Sequence, residues 1–474
     1  MTREKRKIFS LKIWLGFILA IFSVFGCKKD SESILKNEEL DYSFLLAGNN
    51  TIFNQSVNAF SFPDPSLTGM DELNFFVGNS FFNKNWVSAP ASTTARDGLG
   101  PTINARSCSS CHFKDGRGRP PDFQGEIGTG LILRLSIGEN PDGSSIPHNL
   151  YGGQLQDDAI LGVSHEGEIG TNYIEVPGAF SDGETYTLRK PIYFIFDPQF
   201  GLLESDVKIS PRIARQLIGL GYLEALSEDS ILKNADEFDA DQDGISGKPN
   251  YVWNDVEQKI SLGRFGWKAD QPTVAQQTAK AFLRDLGITT PMYPDENCPD
   301  GQIDCQNAQN GGVPEIDSAS FAFVELYASN LAVPAQRNYD DEIVKKGKRL
   351  FENIGCVKCH DNYAITGNES KFTHLNQQII RPYSDMLLHD MGDGLADEMP
   401  FFEASGSEWR TPPLWGVGLF ETVNSHTYYL HDGRARNLTE AILWHGGEAE
   451  SRKNTFKMLS KEDRDALISF LKSL

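Results

Sequence analysis

The chain has 474 residues, a formal net charge of −21 and a pI of about 4.9. That length allows two to four domains and a sizeable core. The acidity excludes nucleic acid, whose phosphates would repel it, and leaves small molecules or a basic protein partner met by electrostatic steering.

Lys5, Arg6, Lys7 and Lys12 form a basic start, and an apolar run from Ile13 to Phe25 ends in Gly26-Cys27. The run is too short to span a bilayer comfortably, so residues 1–26 read as a signal peptide. Cys27 after a small residue has the form of a lipid-acceptor cysteine, which predicts a lipoprotein of the bacterial envelope, periplasmic or outer-membrane. Residues 27–58 then read as a lipid-anchored tether, polar and charged just after Cys27.

The next apolar stretch, Leu73 to Phe82, predicts a helix carrying Phe76, Val77 and Phe81, and a Gly/Pro loop leads from it to Cys108-Ser-Ser-Cys111-His112. Leu131 to Ile137 and Ile192 to Phe196 look like strands bounded by Gly, Pro and Asp. Ser210 to Leu226 predicts a helix, with Ser210 as N-cap and Pro211 in the first helical position. Asp239-Ala-Asp241-Gln-Asp243-Gly244 has alternating carboxylates before a glycine, the first half of a calcium loop. Asn250 stands where the closing acid would fall, which makes it a variant site or an acidic turn. Cys298 and Cys305 share a Pro/Asp/Gly-rich loop that a local disulfide would order. Asp340 to Asn353 predicts a helix with Ile343, Gly347, Leu350 and Phe351 on one face, followed by Cys356-Val-Lys-Cys359-His360. Lys461 to Leu474 closes the chain as an amphipathic helix with Leu467, Phe470, Leu471 and Leu474 at helical spacing.

The two Cys-x-x-Cys-His motifs carry the chemistry. Two thiols two residues apart can add across the two vinyl groups of one haem, and the following His then lies beneath the iron. A four-cysteine zinc site would want its pairs fifteen to twenty residues apart, whereas these lie about 250 apart. A thioredoxin-like pair would want a βαβ setting. Only 9 of 474 residues are His, so a His after both pairs by chance is improbable. The motifs therefore predict two covalently bound haems c, with Cys108, Cys111 and His112 holding one and Cys356, Cys359 and His360 the other. The expected fold is mainly α: an N-terminal haem domain over 59–335 with a β-containing insertion, and a C-terminal cytochrome c-like domain over 336–474.

Longer stretches resemble a known family. They are Tyr151-Gly-Gly-Gln-Leu-Gln-Asp-Asp-Ala159, Leu262-Gly-Arg-Phe-Gly-Trp-Lys268, Leu388-His-Asp-Met-Gly392, Trp409-Arg-Thr-Pro-Pro-Leu-Trp415, Leu430-His-Asp-Gly-Arg434 and Glu440-Ala-Ile-Leu-Trp-His-Gly-Gly-Glu-Ala449. In this order they resemble the di-haem oxidoreductase family, also described as thiol-oxidoreductase-like and related to the bacterial di-haem cytochrome c peroxidases. The resemblance implies that His445, after Leu438-Thr-Glu-Ala-Ile442, replaces the Met that caps the C-terminal haem in the peroxidases. His389 and Met391 are its rivals for that place. Two nitrogen ligands should lower the potential of that haem relative to His/Met ligation.

In the relatives an acid in a Leu-Glu-Glu-Gln-Ala-like segment moves protons on bound peroxide. Asp157 and Asp158 match it here, with Gln154 or Gln156 as hydrogen-bond donors. His148 and His165 are alternatives that would instead close the N-terminal iron. The implied activity is reduction of hydrogen peroxide, with electrons from a donor such as a small cytochrome passing from the C-terminal to the N-terminal haem. An electron carrier without an open iron, or an oxidase of an organic or protein substrate, is the alternative. Trp409, Trp415 and Trp444 could pass electrons or simply fill the core.

Overall fold

A computed structural model of the chain describes residues 42–123, 125–126 and 128–474. The chain divides into Met1–Ser43 and Phe44–Leu474. The signal peptide and Cys27 lie outside the described residues, and Tyr42 and Ser43 alone represent the first unit. The tether expected to reach residue 58 is packed from Phe44 onward. Leu46 and Ala47 are fully buried, and the Phe44 ring stacks on Tyr339 at 4.1 Å. Both expected haem-binding halves lie within Phe44–Leu474.

The mainly α expectation is overturned. Helix accounts for 28% of the chain and strand for 19%, the latter spread over small sheets. Seven antiparallel pairs of strands make up those sheets among the described residues. The longest joins Glu168–Ala179 to Thr185–Phe196. Its turn carries Phe180, which meets Phe456 edge-on at 6.1 Å and lies under the Arg464 guanidinium at 4.0 Å. The hairpin of the insertion thus braces the C-terminal helices. The helix expected from Ser210 is instead the strand Lys208–Ile213, paired with Leu131–Ser136, and only Leu220–Glu224 is helical in that stretch. Ser-Pro is a local helix-start signal, but strand pairing outweighs it, and a two-stranded sheet offers the edge positions where proline is tolerated.

Three predicted helices form. Met70–Asn83 packs on Ser318–Ser329, Asp341 caps Glu342–Ile354, and Ser460 caps Lys461–Ser473, which packs on Glu342–Ile354. The phase of the first differs from expectation: Phe75 and Phe82 are buried, whereas Phe76 and Val77 face outward. Ile343 likewise faces out and Val344 takes the inner place. One glycine lets each pair of helices close. A Cβ on Gly78 would lie 2.0 Å from the Phe323 carbonyl oxygen, and one on Gly347 would lie 2.0 Å from that of Ala466. Each close contact steadies a helix that runs toward a Cys-x-x-Cys-His motif. Among the described residues, no helix is long and apolar enough to cross a membrane.

Candidate functional site

Cys108–Cys111 forms one helical turn, with His112 directly after it. The His112 Nδ1–H donates to the Arg215 carbonyl at 2.6 Å, which leaves the Nε2 lone pair available to a metal. Burial lowers the His112 pKa and keeps the ring neutral. The motif opens on a cavity of about 240 Å³ with apolar walls that include Phe82, Ile213 and Leu220. Its polar lining includes Arg134, Arg212, Asp270, Gln277 and Asp285. Apart from His112, no His or Met lines this cavity among the described residues.

The second motif is built alike. His360 donates from Nδ1 to the Tyr383 carbonyl at 2.9 Å, and burial holds its pKa down at about 4. Phe351 and Phe470, from the two closing helices, pack at 5.3 Å behind it. The adjoining cavity, of about 210 Å³, is lined by Cys356, Cys359 and His360, and also by His445 and Met391. His445 ends the helix Leu438–Trp444, and its Nδ1–H donates to the Ala441 carbonyl at 2.7 Å, which again frees Nε2. His389 lines the same cavity, but both of its ring nitrogens are engaged, by Glu448 at 2.7 Å and Asp385 at 2.8 Å. Burial would lower its pKa, yet Asp385 and its neighbours raise it well above the usual value, so the ring is a charged strut rather than a free ligand.

None of the four motif cysteines takes part in a disulfide. Burial pushes their pKa values up, to about 12 for Cys108 and Cys356, so none is the low-pKa thiolate that disulfide exchange needs. The two pairs face different cavities, which removes a shared four-cysteine zinc site. Cys298 and Cys305 form a disulfide.

The remaining predicted residues fall as follows. Gln156, Asp157 and Asp158 do not line the first cavity. Asp158 is exposed in a short strand and faces Arg106 at 3.6 Å. Gln156 is buried and donates to the Arg284 carbonyl at 2.9 Å. Asp157 accepts from Asn104 at 2.7 Å, and burial raises its pKa to about 6. Asn104 does line the cavity; its side-chain Oδ1 accepts from Gln154, which also donates to Asp285 at 2.8 Å. Asp285 and Asp270 are the carboxylates that line the cavity; burial raises the pKa of Asp285, whereas at Asp270 the charges of Arg212 and Arg134 outweigh burial and hold it down. His148 is held by Glu204 at 2.8 Å, and neither it nor His165 lines the cavity. In the acidic loop, Asp236, Asp239 and Asp241 bring carboxylates within 4.8 Å of one another, whereas Asp243 turns to Lys358 of the second motif at 3.0 Å.

Sequence reasoning missed Asp285, Trp267 and Arg410 as site residues. Trp267, Arg410, Gln216 and Pro413 line both cavities. The signal was present, because Trp267 and Arg410 sit in two of the recurring motifs and Asp285 ends the helix that follows the first of them, Val274–Asp285.

Two cavities, each lined by one Cys-x-x-Cys-His motif, share a wall at Gln216, Trp267, Arg410 and Pro413. The family model described as di-haem oxidoreductase, putative peroxidase, matches residues 45–474, and the chain belongs to that family. No individually curated protein matches it.

Proposed function

We propose that the chain is an exported, lipid-anchored di-haem c-type cytochrome of the bacterial envelope that reduces hydrogen peroxide. Cys108 and Cys111 would bind one haem through thioethers and Cys356 and Cys359 the other, with His112 and His360 holding the irons. The observation that supports catalysis is the asymmetry of the cavities: the second offers His445 or Met391 as a further ligand, and the first, among the described residues, offers no second His or Met. An electron carrier would be expected to close both irons.

The residues fit the cofactor. Each motif His keeps Nε2 free, the walls are largely apolar, and Gln216 Oε1 and Arg212 Nη2 are buried in them without a hydrogen-bond partner. Bound haems would supply two electrons to peroxide, which with two protons gives two waters. The chain supplies the rest. Apolar walls exclude bulk water, and Asp285, kept protonated more readily by burial, is the group placed to hold a proton at the first cavity. Gln154 fixes its orientation. Electrons would enter from a small cytochrome at the second centre and pass the shared wall at Trp267. Calcium at Asp236, Asp239 and Asp241 would tighten the loop that Asp243 pins to Lys358.

The test is turnover of a reduced small cytochrome by the holoprotein with peroxide. Peroxide-dependent oxidation is expected. An inert holoprotein with an open iron would move the assignment to oxidation of an organic or protein substrate.

A further inference from the structure

The shared wall holds an unbalanced charge. Arg117 and Arg410 are buried, and Arg215 faces the first cavity. Arg117 lines the second cavity only, Arg215 the first only, and Arg410 both. All three gather at Gly266-Trp267. The Arg117 and Arg215 guanidiniums lie 5.2 and 4.6 Å from the Trp267 ring, and the Gly266 carbonyl accepts from Arg215 at 3.0 Å and from Arg410 at 3.1 Å.

None of the three has a carboxylate within ion-pair distance among the described residues. The nearby acids are committed elsewhere: Asp270 to Arg212 at 3.8 Å, Asp432 to Arg434 at 2.9 Å, and Asp385 to His389 at 2.8 Å. The arginines are held by backbone carbonyls, the Met386 sulfur and ring faces instead. Arg117 Nε is buried with no partner at all. An uncompensated buried charge is strongly destabilising, so buried Arg117 and Arg410, with half-buried Arg215 beside the same tryptophan, imply anions that the chain itself does not provide. Each haem carries two propionate carboxylates, on the edge away from the vinyl groups that cysteines use. A guanidinium matches a carboxylate in a two-pronged geometry.

We propose that Arg117, Arg215 and Arg410 form a cationic collar around Trp267 that binds haem propionates, Arg215 at the first centre, Arg117 at the second and Arg410 at both. This rests on the two-haem reading. Positive charge beside a haem favours the reduced iron, so the collar holds both midpoint potentials up, and Arg410 makes each centre sensitive to the other.

The test compares the holoprotein with Arg117→Gln, Arg215→Gln, Arg410→Gln and the three Arg→Lys variants. Haem is counted by pyridine haemochrome, midpoints are read by spectroelectrochemistry, and propionate bending bands by resonance Raman. Arg410→Gln should lower both midpoints, Arg215→Gln only that of the first centre and Arg117→Gln only that of the second. Each Lys variant should keep its midpoint nearer the parent value while the propionate band still shifts, because charge survives and the fork does not. Arg410→Gln with two haems but unmoved midpoints and bands would overturn the collar alone. So would an unmoved propionate band in Arg410→Lys, should the Gln variant not fold. A parent protein with fewer than two haems would instead overturn the reading beneath it.

Discussion

The two cavities are built on one plan and end differently. In both, a helix held close by a glycine contact precedes the motif, and the motif His donates Nδ1–H to a backbone carbonyl. In the second, the helix Leu438–Trp444 then delivers His445 to the same space. In the first, the helix Val274–Asp285 delivers a carboxylate instead. On the proposed reading, that one difference in what the opposing segment presents, an imidazole or an acid, would separate a centre suited to storing an electron from one suited to reacting.

The largest test of that contrast removes one centre at a time. Cys108→Ala with Cys111→Ala should cut the haem count from two to one and abolish the reaction with peroxide. The matching pair at Cys356 and Cys359 should also leave one haem, but that haem should still react with peroxide in stopped-flow absorbance. Next, Asp285→Asn should slow peroxide turnover by roughly 100- to 10,000-fold, the usual range for a lost acid–base group. Asp157→Asn, one amide away from the cavity, should cost less than about tenfold, and exposed Asp158 should tolerate Asn without effect. An equal loss at Asp157 and Asp285 would erase the distinction between them.

At the second centre, His445→Ala should convert its low-spin ferric signal to high-spin, while Met391→Leu leaves it low-spin. The reverse result would make Met391 the ligand.

A separate contrast is in stability, which should change with opposite signs below and above pH 4.5. Burial pushes the Glu166 carboxyl, close to the first cavity's network through Gln156, up to about 8 from 4.5. The folded state therefore holds that proton more tightly, and stability is lost as pH rises from 4.5 through about 8, by at most about 1.4 kcal/mol per pH unit. Burial would also raise Glu448 beside the second cavity, but the hydrogen bond and charge of His389 outweigh it and hold the carboxyl down at about 2. Its contribution is present above 4.5 and lost as pH falls through about 2. Thermal denaturation across pH should show both slopes, with Glu166→Gln flattening only the one between pH 4.5 and about 8 and Glu448→Gln only the one below 4.5.

Much of this was legible in the sequence where the signal is local. The two Cys-x-x-Cys-His motifs, the helices expected from Asp340 and from Lys461, and the Cys298–Cys305 staple are all read from neighbouring residues. The helix phase at Phe75 and Phe82 was not, because Phe75, Phe76 and Val77 are all apolar and no polar face marks the outside. The strand at Lys208–Ile213 depends on Leu131–Ser136, far away in the chain, so its local Ser-Pro start misled. The carboxylate at the first cavity was sought at Asp157 and Asp158, because Leu155-Gln-Asp-Asp-Ala159 resembles the acid-bearing segment of the relatives. Folding interposes Asn104 and presents Asp285 instead.

The most direct measurement is electron paramagnetic resonance of the mature, calcium-loaded protein, oxidised and then half-reduced. One low-spin ferric signal from the His360/His445 centre and a high-spin ferric signal from the His112 centre, in either state, are expected. Two low-spin signals when oxidised, with no high-spin signal after half-reduction, would contradict an open first iron and leave an electron carrier.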